Sequence, residues 1–424
     1  MRILQRGAGG GFVEDRLEAE LARTRLSPPD RHLCQELAYG IVRWQAALDW
    51  LIGRKTNSRA QKPMLQNLLR LGLYQIFWLD RIPDHAAVHE TVELARQSGF
   101  NTQAGFINAV LRGYLRNFDA TKSLLAELKT TQPHLGYSHP EWLVVRWQRR
   151  WGADRTAQLM EWNNTPPKAF ARVNTLRADP GSLLAQWREE NVEYDFVRQD
   201  WIGENAVFEL KSHPPLGRLP SLEQGLFYVQ DPSTLLAVHE LDPQPGESVL
   251  DLCAAPGGKL TALAQLMRNE GRILAHDTTL DRLKLIEQNC ARLGVTCVQT
   301  VLPSTFDSHP SAPFDRILID APCSNTGVMR RRVDLRWRIQ PKEIGRLRAT
   351  QLELLRQAAL MLKPGGRLVY STCSLEPEEN SEVVNAFLAE HPDFKLERTR
   401  ELLPFAEAVD GTYVARLVKG GSCY

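Results

Sequence analysis

The 424-residue sequence lacks the features that mark membrane, zinc-binding and disulfide-rich proteins. Its longest apolar runs fall far short of the ~20 residues that a membrane-spanning helix needs. No two of its seven cysteines are separated by only two residues, so the spacing of a zinc knuckle is absent. The number of cysteines is odd, and no signal peptide precedes them. These absences predict a cytoplasmic protein that has neither a metal ion nor a membrane partner.

An excess of charge of either sign is also missing. The sequence has 52 Lys and Arg residues against 50 Asp and Glu residues, which gives a formal net charge of +2. A surface that binds nucleic acid therefore has to come from local patches. With 43% hydrophobic and 24% charged residues, the composition is that of a soluble globular protein. The length predicts two or three domains.

The first 120 or so residues carry helical patterns and few strand signals. In four stretches the apolar residues recur close to a 3.6-residue period, as in an amphipathic helix. These stretches are Arg31–Leu51, Leu65–Leu79, Val88–Ala95 and Asn108–Tyr114. The pattern predicts an all-helical domain, and a connecting stretch is expected from Phe118 to about Pro140.

The next part of the chain mixes strand and helix signals. Strand-like segments occur at Ala169–Arg177, Asn191–Val197 and Gly225–Asp231, and a helical segment occurs at Gly181–Glu190. This mixture predicts a small α+β domain. From about Pro232 onward, strands and helices alternate, with strands at "ESVLDLC", "RILAHD", "FDRILIDAPC" and "RLVYSTCS". Such alternation predicts an α/β domain with an open, largely parallel sheet.

Each predicted strand of the α/β domain ends in residues that can do chemistry, and ligands bind at this edge of such sheets. The first strand ends in Asp251 and leads into a loop with Gly257 and Gly258, whose backbone can approach a ligand closely. Asp277 follows the second strand, where a carboxylate can accept the hydroxyl protons of a ribose. The other strand ends add one carboxylate and two thiols, which are Asp320, Cys323 and Cys373.

Simpler interpretations compete with these. A Gly-Gly turn is common, and the GxGxxG and GxxxxGK[ST] spacings are absent, which disfavours a nicotinamide dehydrogenase. Asp251 could serve only to form a turn. A free cysteine is usually a small buried apolar residue, and we retain that interpretation for Cys253, Cys290 and Cys297. The strand-end positions of Cys323 and Cys373 favour a chemical role instead.

Three segments, "DLCAAPGGK", "DAPCSNTG" and "STCSLEPEEN", resemble the motifs of the Nol/Nop/Sun family of RNA cytosine-5 methyltransferases in order and spacing. "RVNTLR" and "VQDPSTLL" resemble the motifs that precede them. The N-terminal stretch resembles the NusB-like helical domain of a member that acts on bacterial 16S ribosomal RNA. The resemblance implies a NusB-like RNA-binding domain at 1–135, a small α+β domain at 136–225 and a Rossmann-like methyltransferase domain at 226–424.

The same resemblance implies roles for individual residues. Cys373 would attack carbon 6 of the cytosine, Cys323 would assist release of the product, and Asp320 would hydrogen-bond the N3 and amino edge of the base. S-adenosylmethionine is the implied cofactor. Its expected contacts are Cys253, Ala254, Ala255, Pro256, Gly257, Gly258, Lys259, Asp277, Val301 and Asp320. The expected partner is 16S ribosomal RNA, and a monomer is expected.

One departure from the family pattern leaves alternatives open. The family usually has an aspartate near the adenine where this sequence has Val301, which is either tolerated drift or a cause of weaker cofactor affinity. Val301 is the only sequence feature that favours one alternative, a catalytically weakened RNA-binding scaffold, and the presence of both cysteines opposes it. A separate alternative is a cytosine-5 methyltransferase of the same family that acts on transfer RNA, which the resemblance to a NusB-like domain disfavours.

Two groups of arginines are candidates for phosphate contact. The first is Arg330, Arg331, Arg332 and Arg336, and the second is Arg146, Arg149 and Arg150. The tryptophans interleaved with the second group, Trp142, Trp147 and Trp151, are expected in the core.

Overall fold

The structure is a computed structural model that describes residues 1–4, 11–302, 304 and 313–421. The chain forms two compact units. The first contains Met1–Pro166 and Met329–Ile339, and the second contains Pro167–Val328 and Gln340–Tyr424. The finer division into three domains, with boundaries after residues 135 and 225, stays a prediction.

The first unit is helical, as the sequence predicts. Within the described residues it contains nine α-helices, which are α1 (Val13–Ala22), α2 (Pro28–Arg43), α3 (Gln45–Thr56), α4 (Pro63–Trp78), α5 (Asp84–Gln97), α6 (Asn101–Leu115), α7 (Phe118–Thr131), α8 (Pro133–Gly136) and α9 (Glu141–Asn164). Ser27 caps α2 because its hydroxyl accepts the N–H of Asp30. Asn57, in the left-handed conformation, ends α3.

Two predictions about these helices were wrong. The single helix expected at Arg31–Leu51 is interrupted at Trp44, which separates α2 from α3. The connecting stretch expected from Phe118 is helix α7 instead. Its residues are mostly good helix formers, with Leu128 buried and Asp119 in the first turn, so propensity pointed to a helix where the apolar pattern was weak.

Helices α2 to α6 share one apolar core. Gly40 of α2 is required there, because a Cβ atom would lie only 1.9 Å from the ring of Tyr74 on α4. The expectation that the tryptophans belong to the core is confirmed for Trp147, which is 1% exposed and packs edge-on against His139. Trp142 and Trp151 are half-buried.

The segment Met329–Ile339 also packs within the first unit. Arg336 is completely buried, and its guanidinium donates to the side chain of Asn164 at 2.8 Å and to the carbonyl of Ser138 at 3.1 Å. The guanidinium of Arg330, which is 2% exposed, lies 4.0 Å from the ring centre of Trp162. The predicted phosphate contact is therefore wrong for Arg330 and Arg336, because burial removes both from solvent.

The second unit contains two sheets. The smaller is antiparallel with strand order β2-β3-β1-β4. Its strands are β1 (Ala169–Val173), β2 (Glu193–Phe196), β3 (Val207–Ser212) and β4 (Phe227–Val229). Helix α10 (Pro180–Glu189) buries Trp187 against Phe208 and Phe227 of this sheet. The predicted strands and helix are confirmed, and β3 is an additional strand that was not predicted.

The larger sheet has seven strands in the order β10-β11-β9-β8-β5-β6-β7. They are β5 (Ser248–Asp251), β6 (Arg272–His276), β7 (Val298–Val301), β8 (Phe314–Asp320), β9 (Leu362–Thr372), β10 (Phe394–Leu402) and β11 (Thr412–Lys419). The unit's other helices are α11 (Pro220–Glu223), α12 (Leu235–Leu241), α13 (Gly258–Leu266), α14 (Leu280–Leu293), α15 (Pro341–Met361), α16 (Ser381–Glu390) and α17 (Pro404–Glu407).

The prediction of a largely parallel sheet is confirmed. Strands β5 to β9 pair in parallel, whereas β11 is antiparallel to both of its neighbours. Strand β5 pairs with β6 on one side and with β8 on the other. The direction of winding therefore reverses between β5 and β8, and in open α/β sheets the crevice at this reversal is where ligands bind.

Strands β10 and β11 were not predicted. The sequence of β10, FKLERTREL, is mostly charged, and only Phe394 and Leu402, at its two ends, are buried. Charged residues are typical of an edge strand, where they discourage pairing with another chain, so the usual apolar alternation is absent. None of the helices among the described residues is long and apolar enough to cross a membrane.

Candidate active site

Asp251 ends the central strand β5 and points into the protein, where it is 1% exposed. Burial, reinforced by the charge of Asp320, raises the pKa of Asp251 to about 8. One of its oxygens lies 3.4 Å from the backbone N of Cys253. This position agrees with the interpretation of Asp251 as a residue that shapes the following turn.

The loop Cys253–Lys259 is fixed by backbone contacts. The N–H of Ala254 donates to the carbonyl of His276 on β6 at 3.0 Å, and the carbonyl of Pro256 accepts from the Asn289 amide at 2.9 Å. Gly257 has a φ of 105° and precedes α13, a conformation that favours glycine. A Cβ atom on Gly258 would lie 3.2 Å from both Tyr228 and Gln230. Gly257 therefore suits the backbone conformation of the loop, and Gly258 allows Tyr228 and Gln230 to lie close to it.

Asp277 lies directly after β6, and its carboxylate accepts the hydrogen bonds that hold the loop between β6 and α14. Its oxygens accept the N–H groups of Ala255 at 2.8 Å and Thr278 at 2.7 Å. The guanidinium of Arg282 donates to the same carboxylate at 2.5 Å. Burial opposes the charge, but these bonds outweigh it, and the pKa of Asp277 is lowered. Sequence reasoning missed Arg282, although an arginine five residues after an acceptor at a helix start was a usable signal.

Val301 ends β7 and pairs with His276 in the sheet. It is half-buried and packs against the apolar cluster that includes Leu250 and Leu274. The side chain therefore presents hydrocarbon at the position where the family motif has a carboxylate.

Asp320 ends β8 and lies between charged and polar partners. The ammonium of Lys259 lies 2.6 Å from one oxygen, and the hydroxyl of Ser371 donates to the other at 3.0 Å. Burial opposes the charge of Lys259, but the neighbouring carboxylate outweighs it and the pKa of Lys259 is raised. Lys259 is thus an ion-pair partner of Asp320, a contact that the sequence does not reveal.

The structure brings the two candidate thiols together. The Sγ atoms of Cys323 and Cys373 are 3.3 Å apart. Cys373 is half-buried, and its thiol donates to the side-chain oxygen of Asn325 at 2.9 Å. Cys323 is buried, and its pKa is raised well above the usual value by the hydrogen bond with Cys373 and by burial. The two thiols therefore have different surroundings although they touch.

Close backbone packing holds the two thiol loops together. The N–H of Gly327 donates to the carbonyl of Cys373 at 2.9 Å. A Cβ atom on Gly327 would lie 2.5 Å from the carbonyl oxygen of Gly411 and 2.8 Å from that of Cys373, so only glycine fits. Asn325 has a φ of 58° and also donates to the carbonyl of Cys323 at 2.7 Å. Sequence reasoning missed Asn325, although asparagine adopts this conformation more readily than most residues.

The other cysteines within the described residues contact apolar side chains. Cys34 is half-buried and packs against the apolar cluster that contains Leu17 and Ala38. Cys290 is buried in the apolar core and Cys297 packs against it. Cys253 packs against the apolar cluster below the sheet. Cys423 lies outside the described residues. Across residues 1–4, 11–302, 304 and 313–421, no three His, Cys, Asp or Glu side chains are grouped so that they could hold a metal ion.

Comparison with known proteins places this site in a family. A profile described as "16S rRNA methyltransferase RsmB/F" matches residues 238–418, and one for the NusB family matches residues 6–116. A profile for the RsmF/B-like ferredoxin-like domain matches residues 139–202. These matches confirm the predicted fold class of a NusB-like helical region, a small α+β region and a methyltransferase region.

Individual relatives agree with the profiles over most of the chain. The ribosomal RNA small subunit methyltransferase B of Escherichia coli O1:K1 / APEC is 38% identical over 410 residues, which cover 93% of this chain and 92% of the relative. The crystal structure of PH0851 is 26% identical with a TM-score of 0.75, covering 96% of this chain and 94% of the other.

A second solved structure, of a methyltransferase homolog protein from Pyrococcus horikoshii, is 32% identical with a TM-score of 0.60. It covers 68% of this chain and 97% of its own. The identity to the Escherichia coli relative and the length over which it extends are sufficient to assign the family. The chain belongs to the RsmB/F family of 16S rRNA methyltransferases.

Proposed function

We propose that the protein transfers a methyl group from S-adenosylmethionine to carbon 5 of a cytidine in 16S ribosomal RNA. The observation that carries this proposal is the pair of thiols, with Sγ atoms 3.3 Å apart, at the strand ends next to Asp320. The name of the Escherichia coli relative supports the choice of small-subunit ribosomal RNA as substrate.

The chemistry of cytosine explains why a thiol is needed. Carbon 5 is a poor nucleophile in the aromatic ring. Addition of a thiolate to carbon 6 turns the ring into an enamine, and carbon 5 can then accept an electrophilic methyl group. Removal of the carbon-5 proton by a base then expels the thiolate and restores the ring. Covalent catalysis of this kind divides one difficult step into easier ones, and cysteine suits it because its free pKa is about 8.5.

The surroundings of the two thiols support different roles for them. Cys373 is half-buried and has a polar neighbour in Asn325, so we assign the attack on carbon 6 to Cys373. Cys323 is buried and its pKa is raised, so it keeps its proton at neutral pH. A protonated thiol in contact with Cys373 suits the later step in which the nucleophile leaves the product.

Asp320 and Lys259 together suit the polar edge of the base. A carboxyl group must hold or share a proton to hydrogen-bond N3 of cytosine. Burial opposes the charge of Lys259, but Asp320 raises its pKa, so the ammonium 2.6 Å from Asp320 keeps its proton and places a positive charge beside this edge. In this arrangement Asp320 contacts the base, and the charge of Lys259 holds the carboxylate in position.

The loop after β5 and the two neighbouring strand ends fit the cofactor. Gly257 and Gly258 keep the loop backbone open to a ligand, Asp277 offers a charged acceptor for ribose hydroxyls, and Val301 offers an apolar wall. Asp277 is 3% exposed and both of its oxygens accept from Arg282, whose side chain is half exposed, so the guanidinium would have to move aside for the ribose to reach the carboxylate. When bound, S-adenosylmethionine supplies the electrophilic methyl group.

The test is methyl transfer in vitro. The purified protein is incubated, in separate reactions, with 16S ribosomal RNA or transfer RNA and with S-adenosylmethionine labelled in the methyl group, and the RNA is digested to nucleosides for mass spectrometry. We expect label in 5-methylcytidine, and bisulfite sequencing of RNA from cells with and without the gene should locate it. Label in transfer RNA alone would favour the alternative substrate. Cofactor binding without transfer to any RNA would favour a scaffold.

A further inference from the structure

A buried carboxylate lies beneath both thiol loops. Glu379, in the single 3-10 turn before α16, is completely buried. One of its oxygens accepts the backbone N–H of Ser324 at 2.8 Å. The other accepts the hydroxyl of Ser374 at 2.5 Å and also the hydroxyl of Ser324. Ser324 follows Cys323 and Ser374 follows Cys373, so a single side chain is bonded to the residue next to each thiol.

The same glutamate is tied to the surrounding scaffold. The amide of Gln351 on α15 donates to it at 3.1 Å and also to the carbonyl of Pro322, next to Cys323, at 2.9 Å. The backbone carbonyl of Glu379 accepts the hydroxyl of Tyr370 on β9 at 2.6 Å. Both thiol loops are therefore connected through Glu379 to a long helix and to a strand of the sheet.

The donor pattern suits an ionised carboxylate: burial raises the pKa of Glu379, and the hydrogen bonds from Ser324, Ser374 and Gln351 act in the opposite direction. Four donor groups converge on two oxygens, namely the Ser324 N–H, the hydroxyls of Ser324 and Ser374, and the Gln351 amide. An ionised carboxylate is acceptor-only with about four lone-pair sites, so it can satisfy all of them. A glutamine would offer one oxygen and would turn an NH₂ group toward donors. Replacement of Glu379 by glutamine should therefore break contacts to at least one loop without a large change in side-chain volume.

Since Glu379 has no exposed surface, it cannot touch the substrate. We infer that Glu379 is a positioning residue that holds the Cys323 and Cys373 loops at the spacing the reaction needs. The inference extends the proposed function, because correct spacing matters only if both thiols act on one base. It also makes a purely structural claim, that the separation of the two Sγ atoms depends on Glu379, and this claim can be tested without RNA.

The structural test uses phenylarsine oxide, which bonds to two neighbouring thiols through one arsenic atom and releases water. The full-length protein and its Glu379→Gln and Glu382→Gln variants are treated, and the Cys323–Cys373 product is identified by mass spectrometry after digestion. Glu382 is exposed on α16, three residues away, and serves as the matched control. We expect the doubly bonded product in wild type and in the control, and its loss in Glu379→Gln.

The functional test measures kcat and KM for the same variants. Glu379→Gln should lower kcat for RNA methylation about 100-fold, the effect of a small misplacement of reacting groups. It should leave KM for RNA and the Kd for S-adenosylmethionine unchanged. Glu379→Asp, which keeps the charge, should partly restore kcat. A merely structural role would instead lower the melting temperature and affect all of these quantities together.

The outcomes separate this inference from the proposed function. A folded Glu379→Gln protein that forms the arsenic product and methylates RNA at the wild-type rate would overturn the role of Glu379. If that variant fails to fold, Ser324→Ala and Ser374→Ala each remove one hydroxyl donor, and wild-type behaviour of both would overturn the role equally. If wild-type protein forms the arsenic product but makes no 5-methylcytidine, the proposed function fails. Whether the spacing of the two thiols depends on Glu379 is then decided by the phenylarsine oxide experiment alone.

Discussion

Two regions lie at one edge of the large sheet: the cofactor end, which contains the loop Cys253–Lys259 and Asp277, and the thiol end, which contains Cys323 and Cys373. The contacts that hold these two regions join residues at different separations in sequence. At the cofactor end, Asp251 contacts the N–H of Cys253, two residues away, and Asp277 holds the N–H of Thr278 and the guanidinium of Arg282. At the thiol end, Cys323 and Cys373 are 50 residues apart in sequence and meet through Gly327 and Glu379. Turns and contacts between residues at most 33 apart in sequence hold the loop at one end, whereas the two thiol loops at the other end meet across 50 residues.

This contrast implies that the two ends can be disabled separately. A variant at the cofactor end should change the affinity for S-adenosylmethionine and leave thiol chemistry intact when the cofactor is saturating. A variant at the thiol end should stop the chemistry while the cofactor still binds.

Cys373→Ala should remove methylation. We expect a loss of about 10⁴-fold or more in kcat, as is typical when a covalent nucleophile is deleted, because the neighbouring thiol of Cys323 is buried and keeps its proton. Calorimetric titration should show an unchanged Kd for S-adenosylmethionine. If cofactor binding is lost together with activity, the two ends are not separable.

Lys259→Met tests the residue that connects the two ends. We expect kcat to fall about 100-fold, within the usual range for loss of one electrostatic contact at a reacting centre, because Asp320 loses its adjacent ammonium. Lys363→Met is a matched control, since Lys363 on β9 and Asp315, at the opposite end of β8 from Asp320, form an ion pair of the same 2.6 Å length. Steady-state kinetics of both variants should separate them. Equal losses would indicate a general effect of removing a lysine.

Asp277→Ala should weaken cofactor binding. Loss of a charged acceptor should cost about 1.5–3 kcal/mol of binding free energy, while kcat at saturating cofactor should change little. Asp281→Ala is the control, because the Asp281 side chain is 92% exposed on the same helix start. Calorimetry on both variants checks the prediction, and an unchanged Kd for Asp277→Ala would contradict a contact with the ribose.

Val301→Asp should have the smallest effect, and it should maintain or improve the affinity for S-adenosylmethionine. The reason is that the site already provides a charged acceptor in Asp277, so an additional carboxylate supplies at most one more hydrogen bond. Calorimetric titration of wild type decides the alternative directly. A wild-type protein that does not bind S-adenosylmethionine would favour the scaffold interpretation and make this variant the means of restoring binding.

The range of contacts also explains how much of the molecule could be predicted from its sequence. The strands β5, β6, β8 and β9 and the residues at their ends were predictable, because apolar runs followed by glycine, aspartate or cysteine are local signals. The contacts of Glu379 with Ser324 and Ser374 could not be predicted. Glu379 lies in a charged segment, and such a segment has the pattern of an exposed turn even when one of its glutamates is buried. Similarly, the arginine run near residue 330 resembled an RNA contact, but Arg330 and Arg336 are buried in the first unit.

The most direct test of the account is denaturing gel electrophoresis of labelled 16S ribosomal RNA after reaction with wild type, Cys323→Ala and Cys373→Ala in the presence of S-adenosylmethionine. If Cys373 attacks carbon 6 and Cys323 acts in release, Cys323→Ala still makes the covalent bond but cannot complete elimination. The account predicts a slowly migrating protein–RNA band for Cys323→Ala and none for Cys373→Ala. A band for Cys373→Ala instead would contradict it and make Cys323 the nucleophile.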